Sequence, residues 1–171
     1  MGCDGKAYCL DTSGFSNPLE TMPEDIYPIL WSRIAKIIVA GRFAVTKEIY
    51  DELVNLPGPV GICIQKNCPA LQLEVGDADW DWATYVGHIN RMRSTYKSVI
   101  SEYNGNRKGT ACLNDVSIVA LAKSLELPVI SMEAITFQAS STKIRIPGLC
   151  GLEGIEHLTF NKFLRAEGIS I

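Results

Sequence analysis

Histidine is scarce in this chain: there are two in 171 residues, and they stand far apart as His88 and His157. No two of the six cysteines have the CxxC spacing, and Cys63 and Cys68 lie five positions apart. Zinc sites need clustered Cys and His ligands, so that chemistry finds little support. Also missing is an apolar run long enough to span a bilayer, and the N-terminus has no basic stretch followed by an apolar core. The expectation is a cytoplasmic protein with no membrane contact. Cys3, Cys9, Cys63, Cys68, Cys112 and Cys150 are then mostly reduced thiols in or near the core. Nor is there an excess of positive charge: a net charge of −3 excludes coating nucleic acid by bulk attraction. It leaves room for an enzyme that engages a phosphodiester through a cation held by carboxylates, because the cation reverses the local sign. No internal repeat or low-complexity tract interrupts the chain, so residues 1–171 read as a single domain.

What is present is ordinary globular material, 47% apolar and 20% charged, enough to bury roughly two-thirds of the unfolded surface. Tyr8-Cys9-Leu10 is a short apolar run that ends on Asp11, with Thr12, Ser13 and Gly14 behind it. As a buried central strand it places Asp11 at the carboxyl edge of a sheet, where open α/β sheets bind ligands; taken locally, Asp11 to Gly14 is a turn. Pro23-Glu24-Asp25 resembles a helix start, and the periodic isoleucines that follow predict a helix over 24–40, stopped by Gly41. A strand over 42–45 and a helix over 47–55 capped by Thr46 come next. Leu56-Pro57-Gly58-Pro59 breaks that helix, and Val60 to Ile64 is compatible with strand or helix.

Trp82, Tyr85, Val86, Ile89, Met92, Tyr96, Val99 and Ile100 predict one long amphipathic helix from Asp79 to Glu102, and a polar glycine-rich loop spans 103–109. Asn114 or Asp115 caps the next helix, and a strand over 127–131 follows it. Lys143 to Pro147 reads as extended and basic, Glu156 to Leu158 as a short strand, and 161–167 as a last helix. Helices alternating with short apolar strands predict an α/β fold built from right-handed βαβ units.

Four acids occupy equivalent points of this plan. Asp11 ends the first strand, Glu52 lies on the helix after the second, Asp115 begins a helix, and Glu133 follows the Val129-Ile130 strand. Strand ends and helix starts of a parallel sheet converge on one rim, so these carboxylates can share a pocket. Crowded carboxylates repel unless a divalent cation with oxygen ligands relieves them, and Mg2+ or Mn2+ suits such a set. Each acid also has a plain structural alternative: Asp115 as a helix cap, Glu52 and Glu133 as solvated surface charges.

Leu10-Asp11-Thr12-Ser13 followed by Phe15 resembles the opening motif of PIN-domain nucleases. The stretch from Thr46 to Leu53 is similar to their second motif, Asn114 to Ala122 to their third, and Val129-Ile130-Ser131-Met132-Glu133 to their fourth. The helix carrying Trp31, the segment from Glu48 to Glu52, Glu133 in place of the usual Asp, and Lys143 to Pro147 ahead of Cys150 resemble a PIN-like group called DUF4411. In the second motif Glu48, Asp51 and Glu52 compete, and Glu52 is chosen because it stands immediately before Leu53.

The resemblance implies a three-layer α/β/α PIN-like fold around a central, mostly parallel sheet. It implies a metal-dependent endoribonuclease, the toxin of a prokaryotic toxin–antitoxin pair, with RNA as substrate, a cognate antitoxin as partner and a homodimer as an oligomeric option. In that picture Asp11, Glu52 and Asp115 hold Mg2+ or Mn2+, Glu133 supports a second metal or a water, and Ser13 and Ser131 orient ligands or phosphate. RNA then needs positive charge nearby, from Arg91, Arg93, Arg107 and Lys108, or from Lys143 and Arg145. A non-catalytic PIN-like module that binds RNA or protein is the alternative. A Mg2+-dependent phosphatase fits less well, because Ser13 stands where a second acid would be needed.

Overall fold

In the computed structural model, residues 5–134 and 143–170 are described, which leaves Cys3 outside. Strand β1 (Tyr8–Leu10) is buried throughout and leads, across Asp11 and Thr12, into helix α1 (Ser13–Thr21). Helix α2 (Pro28–Val39) and strand β2 (Phe43–Ala44) follow, then α3 (Lys47–Leu53), α4 (Gly58–Lys66) and α5 (Cys68–Leu71). Beyond them come α6 (Trp82–Thr95), α7 (Ser101–Asn104), α8 (Leu113–Leu125) and β3 (Val129–Ile130). The described chain ends with α9 (Ile146–Glu153), β4 (His157–Leu158) and α10 (Phe160–Ala166).

The strands form one all-parallel sheet in the order β2-β1-β3-β4, with Tyr8 beside Phe43, Leu10 beside Ile130, and Ile130 beside Leu158. Right-handed crossovers place helices on both faces when the chain first moves from β1 to β2 and then returns past β1 to β3. The result is a three-layer α/β/α arrangement. One face carries an aromatic cluster in which Phe15 of α1 meets Trp31 of α2 and Phe43 of β2 edge-on, with ring centroids 5.8 and 5.4 Å apart. Phe160 and Phe163 of α10 extend the cluster. The other face is covered by α8, buried continuously from Asp115 to Ala122, with α6 and α9 packed on it. Tyr85 and Met92 of α6 are buried, so that side of the helix packs into the core. Among the described residues no helix is long and apolar enough to cross a membrane. Among the described cysteines, Cys9 and Cys150 are buried.

Four local expectations are corrected. The helix expected over 24–40 begins at Pro28; a helix started at Glu24 would set the Pro28 ring against the Glu24 carbonyl. Glu24 instead reaches across to α4, where its Oε1 accepts the Val60 N–H at 2.9 Å. The single helix expected over 79–102 stops at Thr95, followed by a 3-10 turn over Lys97–Val99. There the β-branched Ile100 turns extended and forms a parallel bridge with Ala111. Asp115 does not cap α8: Cys112 is the cap and Asp115 lies three residues inside, its carboxylate accepting the Cys112 N–H at 2.8 Å. Lys143 to Pro147 is extended only as far as Arg145, since Ile146 and Pro147 open α9 and proline suits a first helical turn.

Candidate functional site

β1 and β3 are neighbours whose onward connections leave in opposite directions, which makes the crevice at their carboxyl ends the switch point of the sheet, the usual ligand position in such folds. Asp11 and Glu133 stand there. Asp11 continues the β1 ladder, its N–H donating to the Ile130 carbonyl at 3.0 Å, and its Oδ2 accepts the Ser13 N–H at 3.0 Å together with the Ser13 hydroxyl proton. The same Ser13 oxygen accepts the Met132 N–H at 3.0 Å, so one hydroxyl joins the ends of β1 and β3. Gly14 permits this closeness. A Cβ there would lie 2.9 Å from Leu10 Cδ1 and 3.0 Å from the Ile130 carbonyl oxygen.

The other acids arrive on separate elements. Thr46 caps α3 by accepting the Ile49 N–H, and the resulting helix presents Glu52 to the rim. Glu52 Oε2 accepts the Thr12 hydroxyl at 2.6 Å, and its Oε1 accepts the Asn114 amide at 2.8 Å. Asp51, the adjacent competitor, is paired with exposed Lys47 at 3.0 Å instead. Glu133 accepts Arg145 at 3.0 Å and the Ile146 N–H at 2.9 Å. The segment after β3 is thereby fastened to the start of α9.

Burial and mutual repulsion govern protonation. Asp11 is 6% exposed. Burial, with the Glu133 and Glu52 charges adding to it, pushes its carboxyl up to about 6 against the lowering effect of the Ser13 hydrogen bonds. Asp115 is pushed up to about 7 by burial first and by the Glu133 charge next, with Asp11 adding to the effect while the Cys112 N–H opposes it. Asp11 therefore senses Glu133 and Glu52, and Asp115 senses Glu133 and Asp11. Even so, among the described residues no three His, Cys, Asp or Glu side chains already close around one point as a cage for an ion. Glu52 and Glu133 are each occupied by their own donors. The donors are oxygens only, carboxylates with the Ser13 and Thr12 hydroxyls beside them, which is the chemistry of a hard cation such as Mg2+ or Mn2+ rather than of zinc.

The remaining expected residues divide. Ser131 is fully buried, and its hydroxyl shares a hydrogen bond with His157 Nε2 at 2.8 Å; it ties β3 to β4, and Ser13 is the serine among the carboxylates. Burial holds His157 below the usual histidine range. Arg91 forms a two-pronged pair with Glu153 of α9, at 3.0 and 2.6 Å, and the Tyr96 hydroxyl donates to the same carboxylate at 2.5 Å. That charge serves helix packing. Arg93 Nε donates to the Tyr103 hydroxyl at 2.9 Å. Arg107 and Lys108 are exposed on the loop that runs from α7 toward α8, where Gly109 lies against the Lys143 side chain. Reasoning from sequence missed Thr12 and Asn114, the two groups that hold Glu52. Each is the immediate neighbour of a chosen acid, and that adjacency was the available signal.

Fold and site together define a doubly wound α/β protein with a carboxylate-lined rim at the switch point of a parallel sheet. The chain belongs to the DUF4411 family, described as a domain of unknown function, which matches residues 8–171 and so takes in all four acids. A comparison with curated proteins found no match.

Proposed function

We propose that the protein is a metal-dependent ribonuclease of the PIN type, acting as the toxin of a prokaryotic toxin–antitoxin pair in the cytoplasm, with a cognate antitoxin as its partner. One observation carries the reading. Four acids from four separate segments face one rim, and two of them, Asp11 and Asp115, are buried deeply enough to stand far above ordinary carboxylates. Burying that much negative charge without a cation is costly; a fold designed for stability alone would place apolar or amide side chains there.

Asp11, Asp115, Glu52 and Glu133 would hold Mg2+ or Mn2+. When bound, such a cation makes water more acidic and offsets charge developing on phosphate oxygens. Ser13 fixes the Asp11 carboxylate, and Thr12 with Asn114 fixes Glu52, so their lone pairs are aimed before a cation arrives. Arg107 and Lys108, with Lys143 against the same loop, supply positive charge for the phosphate backbone of RNA. Arg145 restrains Glu133.

A second reading, an RNA- or protein-binding module without catalysis, is favoured by the separate donors that already occupy the Glu52 and Glu133 carboxylates. One experiment decides. Purified protein is incubated with mixed RNAs and Mn2+, and Mn2+ binding is followed by calorimetry. Cleavage that disappears in Asp11→Asn at unchanged circular dichroism supports the nuclease; neither cleavage nor Mn2+ uptake supports the module.

A further inference from the structure

The segment from Arg91 to Cys112 carries Arg91, Arg93, Lys97, Arg107 and Lys108 against a single acid, Glu102, in a protein whose net charge is −3. Glu153 neutralises Arg91, and Glu102 accepts the Leu113 N–H at 3.0 and 3.2 Å. In the middle of this positive patch stands Tyr103, 40% exposed. Its ring is held by one arginine: Arg93 Nε donates to its hydroxyl at 2.9 Å, which leaves the guanidinium carbon 6.0 Å from the ring centroid.

The patch is also anchored to the rim. Glu102, next to Tyr103, binds the N–H of Leu113 at the start of α8, and the Ser101 N–H donates to Ala111 at 2.8 Å. Leu113 immediately precedes Asn114, which holds Glu52, and stands two residues before Asp115. The loop between is itself fastened, with Asn104 Oδ1 accepting the Arg107 N–H at 3.1 Å and the Thr110 hydroxyl donating to the Arg107 carbonyl at 2.6 Å. An exposed aromatic ring with an arginine against it, on a segment rich in cations, is how single-stranded nucleic acid is gripped: the ring stacks on a base and the cations follow the backbone.

We propose that Tyr103, held by Arg93, is a base-stacking platform that delivers single-stranded RNA to the carboxylate rim; this rests on the ribonuclease reading above. A duplex keeps its bases stacked on each other and gains nothing from the ring, so the platform selects single strands.

The test uses the full chain in EDTA, with fluorescence anisotropy of a labelled oligoadenylate of about 12 nucleotides and of a hairpin duplex. Tyr103→Ala is expected to weaken single-strand binding about 5- to 150-fold. Tyr103→Phe, which keeps the ring, is expected to stay within about twofold of the parent, as is duplex binding by either variant. The salt dependence of binding should be unchanged in Tyr103→Ala and shallower in Lys108→Ala. Thermal melting confirms that the exposed substitutions leave the fold intact. Single-strand binding by Tyr103→Ala equal to the parent's overturns the platform, and so does a loss in Tyr103→Phe as large as in Tyr103→Ala. If that happens while the parent still cleaves RNA with Mn2+, the platform alone is wrong. A parent that neither binds nor cleaves RNA removes the platform and the ribonuclease reading together.

Discussion

Replacing Asp11 by asparagine keeps the shape of the side chain and the acceptor that Ser13 uses, and removes a charge held almost out of water. Its carboxyl stands at about 6 against an ordinary value of 3.8. A folded-state pKa raised above the unfolded one means that this group favours folding in acid. That contribution is complete below about pH 4 and is lost as the pH rises toward 6. At ~1.4 kcal/mol per unit, the ionised Asp11 costs the cation-free protein about 3 kcal/mol at pH 8. Asp11→Asn escapes that cost. In EDTA at pH 8 it should be more stable than the parent by up to about 3 kcal/mol, a rise of about 6–12 °C in Tm for a chain of this size. Near pH 4 the two should melt together. Mn2+ should raise the Tm of the parent and leave the variant where it is. Urea and thermal denaturation at a series of pH values, with and without EDTA, measure all of this. A variant less stable than the parent at pH 8, or a difference that does not change between pH 4 and pH 8, would refute the claim that the rim holds costly buried charge.

Further outcomes follow from other parts of the site. Gly14→Ala sets a methyl group 2.9 Å from Leu10 Cδ1 and 3.0 Å from the Ile130 carbonyl oxygen; overpacking of this kind should cost about 1–3 kcal/mol in urea denaturation. Glu52→Gln should weaken Mn2+ binding at least about tenfold by calorimetry, whereas Asp51→Asn, which breaks only the exposed pair with Lys47, should leave it unchanged. Arg91→Ala leaves the buried Glu153 carboxylate without its two-pronged partner and should cost about 2 kcal/mol of stability. The salt dependence of RNA binding should not change in that variant, because the Arg91 charge is already neutralised; a shallower slope would return Arg91 to the RNA surface.

The sequence by itself determined the features that depend on neighbouring residues. The Tyr8–Leu10 strand, the Thr46-capped helix bearing Glu52 and the buried helix behind Asp115 are all legible, because apolar periodicity and capping act within a few positions along the chain. The order of strands and helices was enough to expect a parallel sheet with helices on both faces, and hence one rim shared by the four acids. Tertiary structure alone decided how those acids are held. Thr12, Glu52 and Asn114 join three elements through side chains up to 62 positions apart. Arg91 is withdrawn from the candidate RNA surface by Glu153, also 62 positions away. Glu24, which looks like the first turn of its own helix, binds the start of another 36 positions on, and Ile100 leaves a helical pattern to bridge Ala111. In each case a hydrogen bond or ion pair between distant segments outweighs a local preference worth a fraction of a kcal/mol per residue. Periodicity along the chain does not register such pairings; they exist only once the sheet has brought the segments together.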